Sequence, residues 1–357
     1  MTRCILTLFL LFFHLSSFAA VILQYHHVSD ETPKSTSITP AQFEKHLQFL
    51  KDNHFKVVAL STLVEAIKAE QPLEDKLVAI TFDDAYSNIA TNAKPLLDKF
   101  NFPYTIFVNP AVINRNETNP ASNSLSWAQL KTLADEGVII ANHGYEHHSL
   151  ARIPTSETEQ LTQQQWLTQQ GTLLVKAEAI IKEKTGQSWH YFAYPYGEYD
   201  VATQKWLREL GYVGFSQQSG AVGLASDLSS LSRFPVSMPY DKISSLRDKL
   251  GSLPLALGLK GENANTIYKY GEPKSITFNV ENDDFYKAGL NCYISGLGKQ
   301  DITWHDDSSF SITFSKDLPV GRVRGNCTAA SISEPGRYYW YSKPWFILNE
   351  DGSWYPL

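Results

Sequence analysis

The stretch Leu77-Val78-Ala79-Ile80-Thr81-Phe82-Asp83-Asp84 runs six strand-forming residues straight into two adjacent carboxylates. So short an apolar run, bounded by acids, reads as a buried strand. Similar compact runs recur on both sides of it, at Val21–Tyr25, Lys56–Leu60, Pro103–Val108, Val138–Ala141, Tyr191–Tyr194 and Tyr212–Ser216. Between them the spacing turns helical. Pro40 to about Asn53 carries Phe43, Leu47 and Leu50 on one helical face, and Ser156 with Glu159 forms a capping box ahead of a long Gln-rich helix. A further helix spans Asp200 to Leu210 and stops at Gly211. Strands alternating with helices over residues 20–252 predict an α/β fold, a distorted (β/α) barrel of about seven strands.

After about residue 262 the helical spacing ends. Ser275–Val280, Phe310–Phe314 and Tyr338–Tyr341 alternate in polarity between Gly, Pro and Asp turns, so residues 266–357 read as a small all-β sandwich, with 253–265 as linker. The last 25 or so residues hold Tyr338–Tyr341, Trp345, Phe346, Trp354 and Tyr355. Such rings can stack on sugars, but filling the sandwich core and packing on the barrel is the simpler use for them.

The chain opens with Arg3, an apolar run of about a dozen residues and then the small residues Ser17 and Ala19, the pattern of a secretory signal over residues 1–19. The run is broken by His14 and is shorter than the roughly 20 apolar residues of a membrane span. The expectation is an exported protein, periplasmic or secreted, with no membrane span once the signal is cleaved. A net charge of -6 with scattered Lys and Arg argues against nucleic acid as a partner. Cys292 and Cys327 remain after the signal, and an oxidising compartment favours a disulfide between them.

Chemistry gathers at the ends of the predicted strands. In α/β barrels the C-terminal strand ends carry the catalytic groups. Asp83 and Asp84 repel each other and need a cation, a proton or helix amides, although one of them could simply cap a helix over Tyr86–Phe100. Asn142-His143-Gly144-Tyr145-Glu146-His147-His148 follows the strand Val138–Ala141. Two imidazoles four residues apart, joined by one carboxylate, make a metal site with room for water. Pro195 and Gly197 fix a tight turn after Phe192–Tyr194 that can offer backbone N–H groups to an oxyanion. Gln24-Tyr25-His26-His27 ends the first strand, so four polar groups can face one mouth.

Three of these segments, Thr81–Asp84 (TFDD), Asn142–Leu150 (NHGYEHHSL) and Tyr194–Gly197 (YPYG), resemble the motifs of the NodB-type polysaccharide deacetylases. The likeness extends over roughly residues 21–240 and is strongest to the exopolysaccharide and biofilm branch, whose chains also begin with a strand like Tyr25-His26. It implies removal of N-acetyl groups from a glycan such as poly-N-acetylglucosamine, a chitin-like oligomer or peptidoglycan. By the same resemblance Asp83 is the general base, Asp84, His143 and His147 hold a divalent metal, and the backbone N–H of Tyr196, next to Pro195, binds the oxyanion. His148 competes with His147 as ligand. Zinc is the default metal, with cobalt, nickel or iron compatible with the same donors.

Two departures stand out. Many relatives have an arginine where Ala193 stands and a distal Leu-x-His, and this chain has neither. Arg233 is the candidate to replace the guanidinium, and His26 the candidate general acid, with His27 next. A catalytically silent glycan-binding protein on the same fold, or a hydrolase of small amides, remains the rival expectation.

Overall fold

The computed structural model describes residues 19–119, 122–153, 161–282 and 284–357. Most of the expected signal, residues 1–18, and the Ser156/Glu159 capping box lie outside them. Eight strands build the first sheet: β1 Ala20–Tyr25, β2 Lys56–Val57, β3 Leu77–Phe82, β4 Thr105–Val108, β5 Ile139–Asn142, β6 Tyr191–Ala193, β7 Val213–Phe215 and β8 Phe234–Pro235. They are parallel and ordered β8-β1-β3-β4-β5-β6-β7, with β2 pairing β3 at its start. A parallel bridge from Phe215 to Leu231 and the pairing of Leu23 with Phe234 bring the segment 231–235 across the gap between the two edges. The result is the distorted (β/α) barrel that the sequence predicts.

Side chains alternate across each strand, and the alternation sorts the core. Val21, Leu23, Val78, Ile80 and Phe82 face outward under helices α1 (Pro40–Asp52), α3 (Lys94–Phe100) and α5 (Trp127–Asp135). Ala20, Ile22, Ala79, Phe107, Ala141, Ala193 and Phe215 face the barrel interior, where Leu60, Leu63, Val64 and Ile67 of α2 (Leu60–Lys68) pack against the same cluster. The alanines among them leave room for Phe107 and Phe215 inside a narrow barrel. Continued past the strand ends, the same parity turns Gln24, Asp83, His143 and Arg233 toward the axis.

Helix α6 spans Gln163–Thr185 and is capped by Thr162 with Gln165, while α7 is Val201–Glu209 behind its cap Asp200. Helices α4 (Pro110–Asn116) and α8 (Ile243–Leu250) complete the described set. His46 of α1 is fully buried: its Nε2–H donates to the Asp241 carbonyl at 2.6 Å and its Nδ1 accepts from the Tyr25 hydroxyl at 3.1 Å. The acceptor bond at Nδ1 needs the neutral ring, and burial pushes its pKa down to about 4. The unfolded chain, with a histidine pKa of about 6.5, therefore binds a proton that the folded one refuses. Stability falls as pH drops through that window, by roughly 1.4 kcal/mol per unit for one group. His46→Gln should give a shallower drop in urea midpoint between about pH 6 and 4.5 than the parent chain.

The chain leaves the barrel directly into a second sheet. Ser252–Pro254, here β9, pairs in parallel with Tyr338–Trp340. The following strands are β10 Leu257–Gly258, β11 Ile267–Lys269, β12 Ser275–Val280, β13 Asn291–Ile294, β14 Gly298–Gln300, β15 Ile302–Trp304, β16 Ser309–Thr313, β17 Gly321–Ala330 and β18 Tyr338–Leu348. The stretch expected as linker thus contributes strands β9 and β10. One sheet runs β9-β18-β17-β13-β14 with β11 also on β18, and the other β10-β12-β16-β15. Both contribute to one apolar core centred on Phe278, Phe310 and Trp345. Cys292 and Cys327, register partners on β13 and β17, form the expected disulfide.

The C-terminal aromatics are largely taken up in packing. Trp345 and Phe346 are fully buried, Trp340 meets Phe234 of the barrel at 5.3 Å, and Trp354 and Tyr355 each lie 4.5 Å from the Arg152 guanidinium.

Candidate active site

Asp83 continues β3, its N–H bonded to the Tyr25 carbonyl at 3.0 Å, and so keeps the inward parity of Ala79 and Thr81. Asp84 and Ala85 then take left-handed backbone angles, φ 70° and 53°, which swing the second carboxylate to the mouth. His147 (φ 62°) and Tyr196 (φ 57°) share that conformation. It is unfavourable for residues with a Cβ, and its concentration around one cleft marks strain held by the surrounding fold.

The two carboxylates have separate partners. Asp83 is fully buried against an equally buried Arg233: Nη1 donates to Oδ1 at 2.7 Å and Nη2 to Oδ2 at 2.8 Å, while Gln24 Nε2 donates to Oδ2 at 2.7 Å. Arg233 is itself fixed by Nε donating to the Ser216 carbonyl at 3.0 Å and Nη1 to Thr81 Oγ1 at 3.2 Å. Burial alone would raise the pKa of Asp83. The Arg233 guanidinium, with smaller help from His143 and His26, overrides it and holds the carboxyl well below the usual carboxylate range.

Asp84 instead faces the imidazoles. Its Oδ1 lies 3.5 Å from His143 Nε2 and 3.4 Å from His147 Nε2, and one ligand atom of each of the three residues falls within 4.8 Å of the others. His143 Nδ1 donates to the Ala193 carbonyl at 2.8 Å, which leaves Nε2 with its lone pair free. That Nε2 is buried and has no hydrogen-bond partner. An unsatisfied buried acceptor facing a carboxylate and a second imidazole is what a cation site requires, and its donors fit a divalent transition metal. His147 is kept neutral, its pKa pushed down to about 4 by burial and by His143. His148 stays outside this cluster. Its side chain is half exposed and its Nε2 lies 3.7 Å from Glu146.

His26 lies on the groove wall with Nε2 3.9 Å from Asp83 Oδ2. His27 points elsewhere, stacked on Tyr86 at 3.6 Å and bonded through Nδ1 to Asn88. Tyr25 sits in the core. Pro195 is buried in the turn Pro195–Gly197, and the Tyr196 ring meets His147 at 4.5 Å. A Cβ at Gly197 would come within 2.7 Å of Gln217, so only glycine fits there. The next residue, buried Glu198, takes two bonds of 2.7 Å from Arg152 and one of 3.0 Å from the Tyr355 hydroxyl. The turn is therefore tied to the C-terminal segment that follows the last strand.

The site opens on a groove of about 800 Å³ lined by Gln24, His26, Asp84, His147 and Tyr196, and also by Arg322 and Arg324 of β17. Those two arginines carry no local motif. Gln24 as a partner of Asp83 could have been found from strand parity.

Fold and site together define an α/β-barrel protein that sets a candidate cation site beside a buried carboxylate held by arginine. Residues 70–215 match the family described as polysaccharide deacetylase. A Bacillus subtilis (strain 168) protein named as a polysaccharide deacetylase, YxkH, is 27% identical over 217 residues, 60% of this chain and 71% of the relative. The poly-β-1,6-N-acetyl-D-glucosamine N-deacetylase of Escherichia coli (strain K12) is 23% identical over 244 residues, and the match spans 60% of this chain but only 36% of that protein. Among solved structures, the Streptococcus pyogenes deacetylase PplD in complex with acetate superposes with a TM-score of 0.56 at 23% identity, over 66% of this chain and 99% of that one, a likeness of fold.

Proposed function

We propose that this protein is an exported, metal-dependent hydrolase that removes N-acetyl groups from a polysaccharide. The observation that carries the reading is the orphaned Nε2 of His143, converging with Asp84 and His147 next to the Arg233-held Asp83. Names of relatives as poly-N-acetylglucosamine deacetylases favour that class of glycan. The N-terminal sequence and the disulfide agree with export, and no helix among the described residues is long and apolar enough to cross a membrane.

Asp84 and the Nε2 atoms of His143 and His147 would hold the metal, zinc by default. A divalent cation there supplies Lewis-acid polarisation of the acetyl carbonyl and of water. Asp83, kept ionised by Arg233, is always in the proton-accepting form and takes the proton of the attacking water. Arg233 and Gln24 fix the direction of that carboxylate. The Tyr196 backbone N–H stabilises the oxygen on which charge develops. His26, across the groove, protonates the departing amine. His26→Ala should lower kcat by about 10² to 10⁴ on an acetylated glucosamine oligomer, as loss of a general acid does. Wild-type turnover would move the role to His27.

Acetate release from chitin oligomers, poly-N-acetylglucosamine and peptidoglycan, with chelator and then with zinc restored, tests the whole reading. Release that stops with chelator and returns with metal is expected. Absence of chelator-sensitive release from every glycan would favour the silent glycan-binding protein.

A further inference from the structure

The groove is positively charged on one side for a reason that lies outside the barrel. Arg322 and Arg324 stand two residues apart on β17, so they project from the same face, while Val323 and Gly325 turn into the sandwich core. Both line the catalytic groove. Nothing in the groove offsets them. Apart from Asp84, whose charge faces the two imidazoles, none of its described lining residues is a carboxylate. The acid that comes nearest, Glu198, is 3.8 Å from Arg322 but already engaged by two bonds from Arg152. Arg324 has no carboxylate within 4 Å among the described residues. Ser35, Thr36, Asn116 and Asn123, which also line the groove, are neutral and polar. In a chain of net charge -6 this is a local excess of two guanidinium groups on the lining of the groove.

From this we infer that Arg322 and Arg324 select an N-acetylated glycan bearing an anionic group, a carboxylate or phosphate, on a sugar adjoining the one that is deacetylated. The inference rests on the deacetylase reading and sharpens its substrate. Guanidinium forks pair with planar anions through two parallel charge-assisted hydrogen bonds, and a neutral hydroxyl can offer only weaker ones. The two residues lie on β17, more than 100 positions beyond residue 215, where the family match ends. They therefore add a specificity wall to a barrel whose chemistry is complete without them.

The test compares two soluble oligomers of equal length, one alternating glucuronate with N-acetylglucosamine and one of N-acetylglucosamine alone, with an oligomer carrying phosphate in place of glucuronate as a third arm. Binding is measured by calorimetry on the zinc-loaded Asp83→Asn chain, which makes it independent of turnover, and acetate release is measured on the parent chain. The anionic oligomers should bind about tenfold or more tightly than the neutral one, as one charge-assisted pair allows, with the advantage shrinking as salt is raised. The Arg322→Ser/Arg324→Ser chain should bring the ratio to near one. The carboxylate and phosphate arms show which anion is preferred. Equal binding of charged and neutral oligomers, or a ratio unmoved by the double substitution, overturns the inference even if acetate is released. A binding preference that the double substitution removes, without acetate release from any oligomer, upholds the selection of an anionic glycan by Arg322 and Arg324 and sinks the deacetylase reading.

Discussion

Arg233→Met is expected to lower the stability of the barrel by roughly 3–5 kcal/mol, the penalty for leaving one partner of a buried ion pair uncompensated. Asp83 has no exposure to water, and Gln24 alone would remain to hydrogen-bond it. The carboxyl would then take up a proton, since burial favours its neutral form once the guanidinium is gone. Turnover should fall with it, because a protonated Asp83 cannot accept a proton from water. Asp83→Asn combined with Arg233→Met removes both charges, so the double variant should be markedly more stable than the sum of the two single losses. Urea midpoints of the four chains check this cycle. A single Arg233→Met with the parent midpoint would falsify the view that this pair sustains the base.

His143→Ala is expected to abolish stoichiometric zinc binding and to cut acetate release on the order of 10³-fold or more, as befits loss of several kcal/mol of electrostatic stabilisation. Its Nε2 is the one buried acceptor in the cluster with no protein partner, and its Nδ1 is committed to the Ala193 carbonyl. His148→Ala is the internal control, because that ring faces Glu146 at the surface. It should keep metal content and turnover within about twofold, as most surface substitutions leave a fold undisturbed. Metal analysis and acetate assays on the two chains side by side decide the matter. Loss of zinc from His148→Ala with retention in His143→Ala would reverse the assignment.

Much of the barrel could be read directly because Leu77–Phe82 and its counterparts are short apolar runs that end in polar motifs, and such runs have few other uses. Where two periodicities overlap, strand and helix cannot be told apart by pattern. Lys56–Leu60 divides into a two-residue strand and the start of α2, since Leu60 belongs to the helical set Leu63, Val64 and Ile67. The helix expected over Tyr86–Phe100 begins late. Asn88 and Asn92 spend their side chains on His27 and the Val28 backbone, and the chain winds through a wide turn at Ile89–Ala93 before α3. Strand β18 passes through Pro344, which a sequence reading stops short of. On one side of β18 the neighbours meet only Tyr338–Trp340 and Phe346–Leu348, so Pro344 falls in the gap where no N–H is required.

The site divides in the same way. Asp84, His143 and His147 were visible because local spacing after a strand carries them, whereas the roles of Gln24, Arg322 and Arg324 depend on which distant segments fold against one another. Spacing cannot say which of His147 and His148 turns its ring to Asp84, since that depends on where the loop places each side chain.

The position of Arg233 also bears on the order in which the chain comes together. Asp83 is made early in the sequence, yet its counterion arrives only with the segment that spans from β7 to β1, about 150 residues later. Until that segment docks, Asp83 can enter the apolar interior only by giving up its charge or keeping water with it. Closing the barrel and pairing this carboxylate are thus one event, and half-wound intermediates should hold water around a side chain that the closed barrel buries.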